Sequence, residues 1–478
     1  MRGRTRATVD ALARRALDVP IVSFDRKPRL TILLLLWLLP LSCARRPAGP
    51  PNVVLVVIDT LRADRLGSYG DRRGLTPFLD GLAARGAVFR NAYAATSWTN
   101  PSVASLFTSR YPSQHQVTGL FARLSRDELS LVAKLDPLGY LGGAFSANVG
   151  VAEQVGRALG FRSCHSYHTD KLKLRAARII DASLAWVDHI RRRAARRPLF
   201  LYFQFMEPHF PYDPPPEYRG RFDPPGRRGD DALAINKKLL LETKAITEDD
   251  LAFLRSLYDG EVALMDAELR RLFGELDKRG VLEHAVVVIT ADHGEEFKEH
   301  GGIVHGDSLY NEVLRVPLIV LAPGQPAGRA VEQNVSLVDV APTLLDLLNL
   351  SPEPRFEGRS LLPLMKGNAP PVDVVAELPT TAFGAAPRHT LALVRGSIKL
   401  LVRPGSSGPS GDTETYDLAR DPAESTPRPS SLEADARLLL EALHRHETSL
   451  AERAPTHAEH RPPSEITRER LRALGYVN

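Results

Sequence analysis

Cysteine is nearly absent. Cys43 and Cys164 are the two in 478 residues, which excludes a disulfide framework and leaves the redox compartment unmarked. Long apolar runs are missing as well. The stretch Leu30–Leu41, broken by Thr31, is too short to span a bilayer as a helix but has the length of a signal-peptide apolar region. A charge excess over the body of the chain is also lacking. The net +5 comes from residues 1–43, which hold eight Lys/Arg against three Asp/Glu, so the remainder sums to zero and nucleic acid is not an expected partner. With 43% hydrophobic and 25% charged residues, the composition is neither disordered nor fibrous, and it suffices for one large globular unit with a smaller appendage.

The N-terminal segment is laid out for export. Arg26, Lys27 and Arg29 precede the apolar run, Ser42-Cys43 follows it at once, and Arg45–Pro51 is a polar, Pro-rich tether. A Cys directly after such a run is similar to a bacterial lipoprotein signal, with Cys43 as the lipidated first residue. The expectation is therefore an exported, periplasmic or cell-envelope lipoprotein, attached to a membrane through its N-terminal lipid or signal anchor. An uncleaved signal anchor with an incidental Cys43 is the competing reading.

The continuous apolar run Val53–Ile58 reads as a strand buried on both faces of a parallel sheet, as do Leu199–Phe205, Ala285–Thr290 and Val316–Leu321. Helix-period stretches lie between them. The clearest, Leu254–Arg279, stops at Gly280. This alternation predicts an α/β fold, a large mixed and mostly parallel sheet with helices on both faces. Beyond residue 370 the pattern changes. Thr390–Val394 and Ile398–Val402 flank Arg395-Gly396-Ser397 as a β-hairpin, Pro404–Asp412 reads as a surface loop, and Leu432–Glu447 as a charged helix. The expected divisions are an extension and export segment (1–43), a tether (44–51), a large α/β domain (52–370) and a small C-terminal α+β subdomain (371–478).

Open α/β sheets bind ligands at the C-terminal ends of their strands, and chemistry-bearing residues fall there. Asp59 leaves the first strand, where a carboxylate is either a helix cap or a metal ligand. Thr99 precedes Pro101 and the helical spacing Val103, Leu106, Phe107, which places it at or near a helix N-terminus. There it either caps the helix or attacks an anionic group that the free N–H groups attract. Asp292 and His293, adjacent and followed by Gly294, leave another strand and suit a divalent cation. His209, His300 and His305 follow strands nearby. On the helix, Asp259, Glu261 and Asp266 read as a solvent face.

Taken in order, Asn52–Gly70, Thr99–Pro112, Asp292–Gly301, His305–Val320, Ser336–Leu348, Glu357–Met365, Glu414–Glu424 and Leu471–Val477 resemble the successive motifs of the sulfatase family, within the alkaline phosphatase superfamily. The resemblance implies an alkaline-phosphatase-like fold and hydrolysis of sulfate or phosphate esters. It also departs from the family pattern. Sulfatases carry a Cys or Ser that becomes formylglycine, with Pro and Arg two and four residues later; here Thr99 stands first and Val103 stands for the Arg. Their paired acids at the first motif are Asp59-Thr60 here, and their Asp-Asn or Asp-Gln pair is Asp292-His293. Relatives with an unmodified Thr nucleophile show a similar set: phosphodiesterases, phosphoethanolamine transferases and lipoteichoic acid synthases. The resemblance thus implies one divalent metal on Asp59, Thr99, Asp292 and His293, with zinc or manganese favoured over calcium. It makes Thr99 the nucleophile, with His209 and His305 as partners of the ester oxygens and one of them the proton donor. Lys298 and Arg62 are further candidates for charge neutralisation. The implied partner is a sulfated or phosphorylated small molecule, glycan or lipid head group. A true sulfatase, a head-group transferase and a non-catalytic binder of anionic glycans are the alternatives.

Overall fold

The computed structural model describes residues 49–119, 122–148, 151, 158–166, 175–224, 232–367, 370–379, 389–405, 408–428, 433–453 and 459–460. Residues 1–43 with Cys43, read above as an export segment, and the terminal Leu471–Val477 motif lie outside them. No helix among the described residues is long and apolar enough to cross a membrane.

The first strand, Asn52–Ile58, sits inside a nine-stranded sheet between Leu199–Phe205 and Ala285–Thr290, parallel to both. Its side chains from Val53 to Ile58 are buried on both faces, which is why the run shows no polar alternation. Leu141–Ser146 and Ser163–Ser166 extend the sheet on one side, also in parallel. On the other side the expected strand Val316–Leu321 is broken into Arg315–Val316 and Leu318–Leu321, because Pro317 has no N–H to give the ladder. Both pieces run antiparallel to Ala87–Tyr93, and the second also to Ala285–Thr290. Arg329–Ser336 then pairs in parallel with Ala87–Tyr93. The sheet is mixed and mostly parallel, as expected.

The helices pack together in two sets. One gathers Pro77–Ala83, Ala176–Arg193 and Ala232–Leu241 around the long helix Glu248–Lys278; the other gathers Leu131–Leu135 and Val340–Leu347 around Thr99–Thr108. The long helix starts six residues before its apolar stripe, because Thr247 and Asp250 cap each other's backbone N–H. The three acids read as its solvent face do not form one. Asp259, Glu261 and Asp266 are all buried. Asp259 pairs with Arg65 and Arg73, Glu261 with Arg175, and Asp266 accepts the N–H groups of Phe78 and Leu79 at the start of the neighbouring helix. Charge on this helix ties down adjacent segments.

The C-terminal part adds a four-stranded antiparallel sheet, Val374–Leu378, Thr390–Arg395, Ile398–Gly405 and Gly408–Asp417, with the helix Glu433–Ala451 packed on its middle strands. The predicted hairpin turns at Gly396, whose φ of 58° favours glycine. Of the segment read as a loop from Pro404 to Asp412, the described residues 404–405 and 408–412 instead continue two paired strands. Its Gly, Ser and Pro content concealed the pairing.

Candidate active site

Four neighbouring parallel strands bring their C-terminal ends together, and each delivers a polar side chain. Asp59 follows Asn52–Ile58, Gln204 lies within Leu199–Phe205, Asn148 follows Leu141–Ser146, and Asp292-His293 follow Ala285–Thr290. Asp59, Gln204, Asp292 and His293 are buried. Gln204 Nε2 donates to Asp292 Oδ2 at 3.1 Å and faces Asp59 Oδ2 at 3.4 Å, while Asn148 Nδ2 donates to Asp59 Oδ2 at 2.9 Å. The two amides hold both carboxylates from the sheet side. On the other side the chain turns sharply. Thr60 adopts φ 61°, a left-handed conformation that costs a β-branched residue, and its N–H reaches Asp292 Oδ1 at 3.3 Å. Tyr258, from the long helix, pins that turn by donating to Thr60 O and accepting from Arg62 N.

Thr99 is the first residue of the helix Thr99–Thr108, one position inside its start. Trp98, the residue before it, makes no side-chain cap bond, and no acidic residue lies in the first turn. This helix end therefore offers its N–H groups and dipole to an anion. Thr99 Oγ1 lies 3.5 Å from Asp59 Oδ1 and 3.1 Å from His293 Nε2. His293 Nε2 is 3.6 Å from Asp59 Oδ1 and 3.7 Å from Asp292 Oδ2.

These separations suit a metal ion. Four ligands at ~2.0–2.1 Å in a tetrahedron stand about 3.3–3.5 Å apart, close to the spacing found here. Among the described residues, Asp59, Asp292 and His293 are the one such group whose ligand atoms all lie within 4.8 Å of one another. The donor chemistry agrees. Burial, and for Asp59 the neighbouring Asp292, pushes the two carboxyl groups up to about 8 and about 7, so full ionisation of both calls for a cation beside them. His293 is pushed down by burial and stays neutral, with Nδ1 donating to Gly294 O at 2.9 Å; this aims its Nε2 lone pair at the carboxylates. Two acids, a neutral imidazole and a hydroxyl suit a divalent metal ion.

His305 and His209 extend the cluster. Ring centroids are 4.4 Å apart for His293–His305 and 5.0 Å for His209–His305, and both added histidines are buried. His209 Nδ1 donates to Phe210 O. His305 Nδ1 donates to Glu295 Oε1 at 2.7 Å, and the other Glu295 oxygen accepts from the Tyr212 hydroxyl at 3.0 Å. The candidates for extra positive charge are committed elsewhere: Arg62 pairs with Asp64 and Glu299, and Lys298 donates to Ile246 O. His300 also leaves the group, stacking on Tyr310 and pairing with Glu312. Sequence reasoning missed Asn148, Gln204, Glu295 and Tyr212. Of these, Gln204 had a visible signal as the lone amide in an apolar strand, and Glu295 stands two residues after His293.

Known proteins share this fold. The family model described as Sulfatase matches residues 51–350. An Arylsulfatase of Clostridium perfringens is 24% identical over 439 residues, covering 79% of this chain and 89% of that protein. Arylsulfatase K of Mus musculus is 26% identical over 429 residues, covering 79% and 75%. Among solved structures, the phosphonate monoester hydrolase of Agrobacterium radiobacter superposes with a TM-score of 0.67 at 21% identity, covering 86% of this chain and 100% of that one. A 2-O GAG sulfatase gives 0.68 at 18% identity, covering 87% and 96%. At these identities the structural likeness speaks for the fold.

Proposed function

Because the chain belongs to the sulfatase family and is a hydrolase acting on sulfate or phosphate esters, we propose that it cleaves them with the unmodified hydroxyl of Thr99 and favours phosphorus esters. The observation that carries this reading is the Thr99 oxygen at 3.1–3.5 Å from His293 and Asp59, at a helix N-terminus. Asp59, Asp292 and His293, with the Thr99 oxygen, would hold one divalent cation, whose charge lowers the hydroxyl pKa and offsets that of the ester.

The chain's own residues do the rest. The N–H groups at the start of Thr99–Thr108 receive the non-bridging oxygens, together with His209. Thr99 Oγ1 bonds to phosphorus in line with the leaving oxygen, and its proton passes to the Asp59 carboxylate. As the bond to the leaving alcohol breaks, the alcohol takes up that proton, relayed through Nε2 of His305, whose ring is kept neutral by burial and by His293, with its Nδ1–H on Glu295. Water then attacks phosphorus and gives a proton to Nε2 of His305, and the bond from phosphorus to Thr99 breaks as the Thr99 oxygen takes a proton back by way of Asp59. Asn148 and Gln204 keep the carboxylates in register throughout, and Glu295 fixes the ring of His305. A threonine carries no route to formylglycine, which is why phosphorus is favoured over sulfur. Hydrolysis of sulfuric esters is the second reading, supported by the arylsulfatases among the relatives. The substrate class is a sulfated or phosphorylated small molecule, glycan or lipid head group, met outside the cytoplasm if the N-terminal segment directs export.

The test is a panel of aryl sulfate, phosphate monoester, phosphate diester and phosphonate monoester. Each is assayed after chelation and after return of zinc, manganese or calcium. Phosphorus-ester turnover restored by zinc or manganese, and absent in Thr99→Ala, is the expected result. Calcium-dependent sulfate release that survives Thr99→Ala would sink the assignment.

A further inference from the structure

The pole of the sheet opposite the active site carries a basic surface. Arg191, Arg192 and Arg193 end the helix Ala176–Arg193, and Arg196 and Arg197 follow in the turn to the strand Leu199–Phe205. Arg192, Arg193, Arg196 and Arg197 are exposed, and Arg191 is half-buried. Among the described residues no carboxylate pairs with any of the five. The nearby acids Asp136 and Asp188 are already held by Arg162 and Arg279. The helix dipole accounts for cations in the last turn of the helix, but Arg196 and Arg197 lie beyond its end.

This surface adjoins the point where the chain enters the fold. Arg191 Nη2 is 3.4 Å from Asn52 Oδ1, and that oxygen accepts from Leu199 N at 2.9 Å. Tyr140 donates to Pro51 O, and Arg197 donates to Gly139 O next to it. Arg191 and Arg197 thus border residues 51–52, which in sequence follow the apolar segment after an eight-residue tether (44–51). Such a tether spans at most ~28 Å. Asp59 and Thr99 lie at the far end of the first strand, roughly 20 Å away.

We propose that this arginine surface docks on anionic phospholipid head groups, so that the enzyme lies with its basic pole on the membrane and its active site turned away from it. The proposal rests on the reading of residues 1–43 as a membrane-directing segment. Charge complementarity supplies the attraction, and the short tether keeps the surface near the head groups, within reach of a field that decays over about 8 Å at physiological salt. A sulfated polysaccharide would meet the same charges but lie remote from Thr99, so the lipid surface is the better match.

The test uses the full chain, wild type and R192Q/R193Q/R196Q, sedimented with phosphatidylcholine vesicles with and without phosphatidylglycerol. Retained esterase activity serves as the check on folding. Wild type is expected to prefer the anionic vesicles, the preference falling roughly fivefold per arginine removed and vanishing in high salt. Binding to neutral vesicles should be equal for both proteins. An unchanged preference in the variant overturns the proposal, as does wild-type binding to heparin with indifference to phosphatidylglycerol. Absence of neutral-vesicle binding with the anionic preference intact would overturn the N-terminal anchor and still support the docking surface.

Discussion

Thr99 concentrates the residue-scale argument. A hydroxyl 3.1 Å from His293 and 3.5 Å from Asp59 has the position that the proposed nucleophile and metal ligand requires. Thr99→Ala is expected to cut kcat by roughly a thousandfold or more at unchanged thermal stability, since a lost nucleophile disables its partners as well. Thr99→Ser should keep measurable turnover, read by initial rates on one phosphorus ester. In the proposed mechanism Glu295 touches no reacting atom and acts through His305, to which it is hydrogen-bonded, with Tyr212 behind it. Glu295→Gln is expected to lower kcat about 10- to 100-fold with a smaller change in KM. Tyr212→Phe should follow in the same direction to a lesser degree. The loss should grow as the leaving alcohol becomes more basic, because such alcohols depend most on a donated proton; a loss independent of the leaving group would assign Glu295 to structure alone. Much of this site was legible in the sequence. Asp59, Thr99, Asp292 and His293 each stand where a strand or helix ends, and the chemistry of their types narrows what they do there. Asn148 and Tyr212 were not legible. Neither has a local pattern, and each reaches the site only because the topology brings its segment back.

At the scale of elements, backbone approach decides as much as side chains. Gly294 packs so closely on the segment 311–314 that an added Cβ would stand 2.0 Å from Glu312 O, while Gly294 N and Glu295 N donate to Val313 O and Glu312 O. Gly294→Ala must therefore push apart the very backbone that carries His293 and Glu295. The expected outcome is loss of most activity with a clear drop in the unfolding midpoint, seen in paired kinetic and denaturation measurements. Asp266 shows another kind of support, joining the long helix to the backbone N–H groups that open Pro77–Ala83. Asp266→Ala leaves those donors unmet and should cost about 1–3 kcal/mol by urea unfolding, with kcat little changed. The sequence announced the elements themselves well, because fully apolar strands and a capped amphipathic helix are local patterns. It hid what depends on partners. The acids of the long helix looked solvent-facing because their cations, Arg65, Arg73 and Arg175, lie far away in the chain. Pro317, by contrast, was a visible reason to break its strand.

Across the whole molecule, the segment that carries His293, Glu295 and His305 is also gripped by the C-terminal sheet. His300 Nδ1 pairs with Glu312 Oε1 at 2.6 Å, and its Nε2 meets Glu424 O at 3.1 Å. Lys399, fully buried, holds Glu424 at 2.6 Å and donates to Asn311 Oδ1 at 3.1 Å, while the other Glu424 oxygen accepts from Asn311 N. The C-terminal sheet thereby fixes the loop that presents His305. Burial alone would discourage a charge on His300, but the hydrogen bond and charge of Glu312 outweigh it and push the group up to about 9. A folded pKa above the unfolded value near 6.5 means that the protonated ring stabilises the fold. That contribution is complete below pH ~6.5 and is lost as pH rises through about 9. Partial solvent access limits it to on the order of 1–2 kcal/mol. Wild type should therefore lose stability between pH 7 and 9.5, and His300→Gln should be less stable at neutral pH with a flatter slope over that window. If the two proteins follow parallel stability curves by urea unfolding, the histidine is not the titrating link. Should activity fall along with stability in His300→Gln, the C-terminal sheet acts on catalysis by way of the loop it holds, far from the reacting atoms.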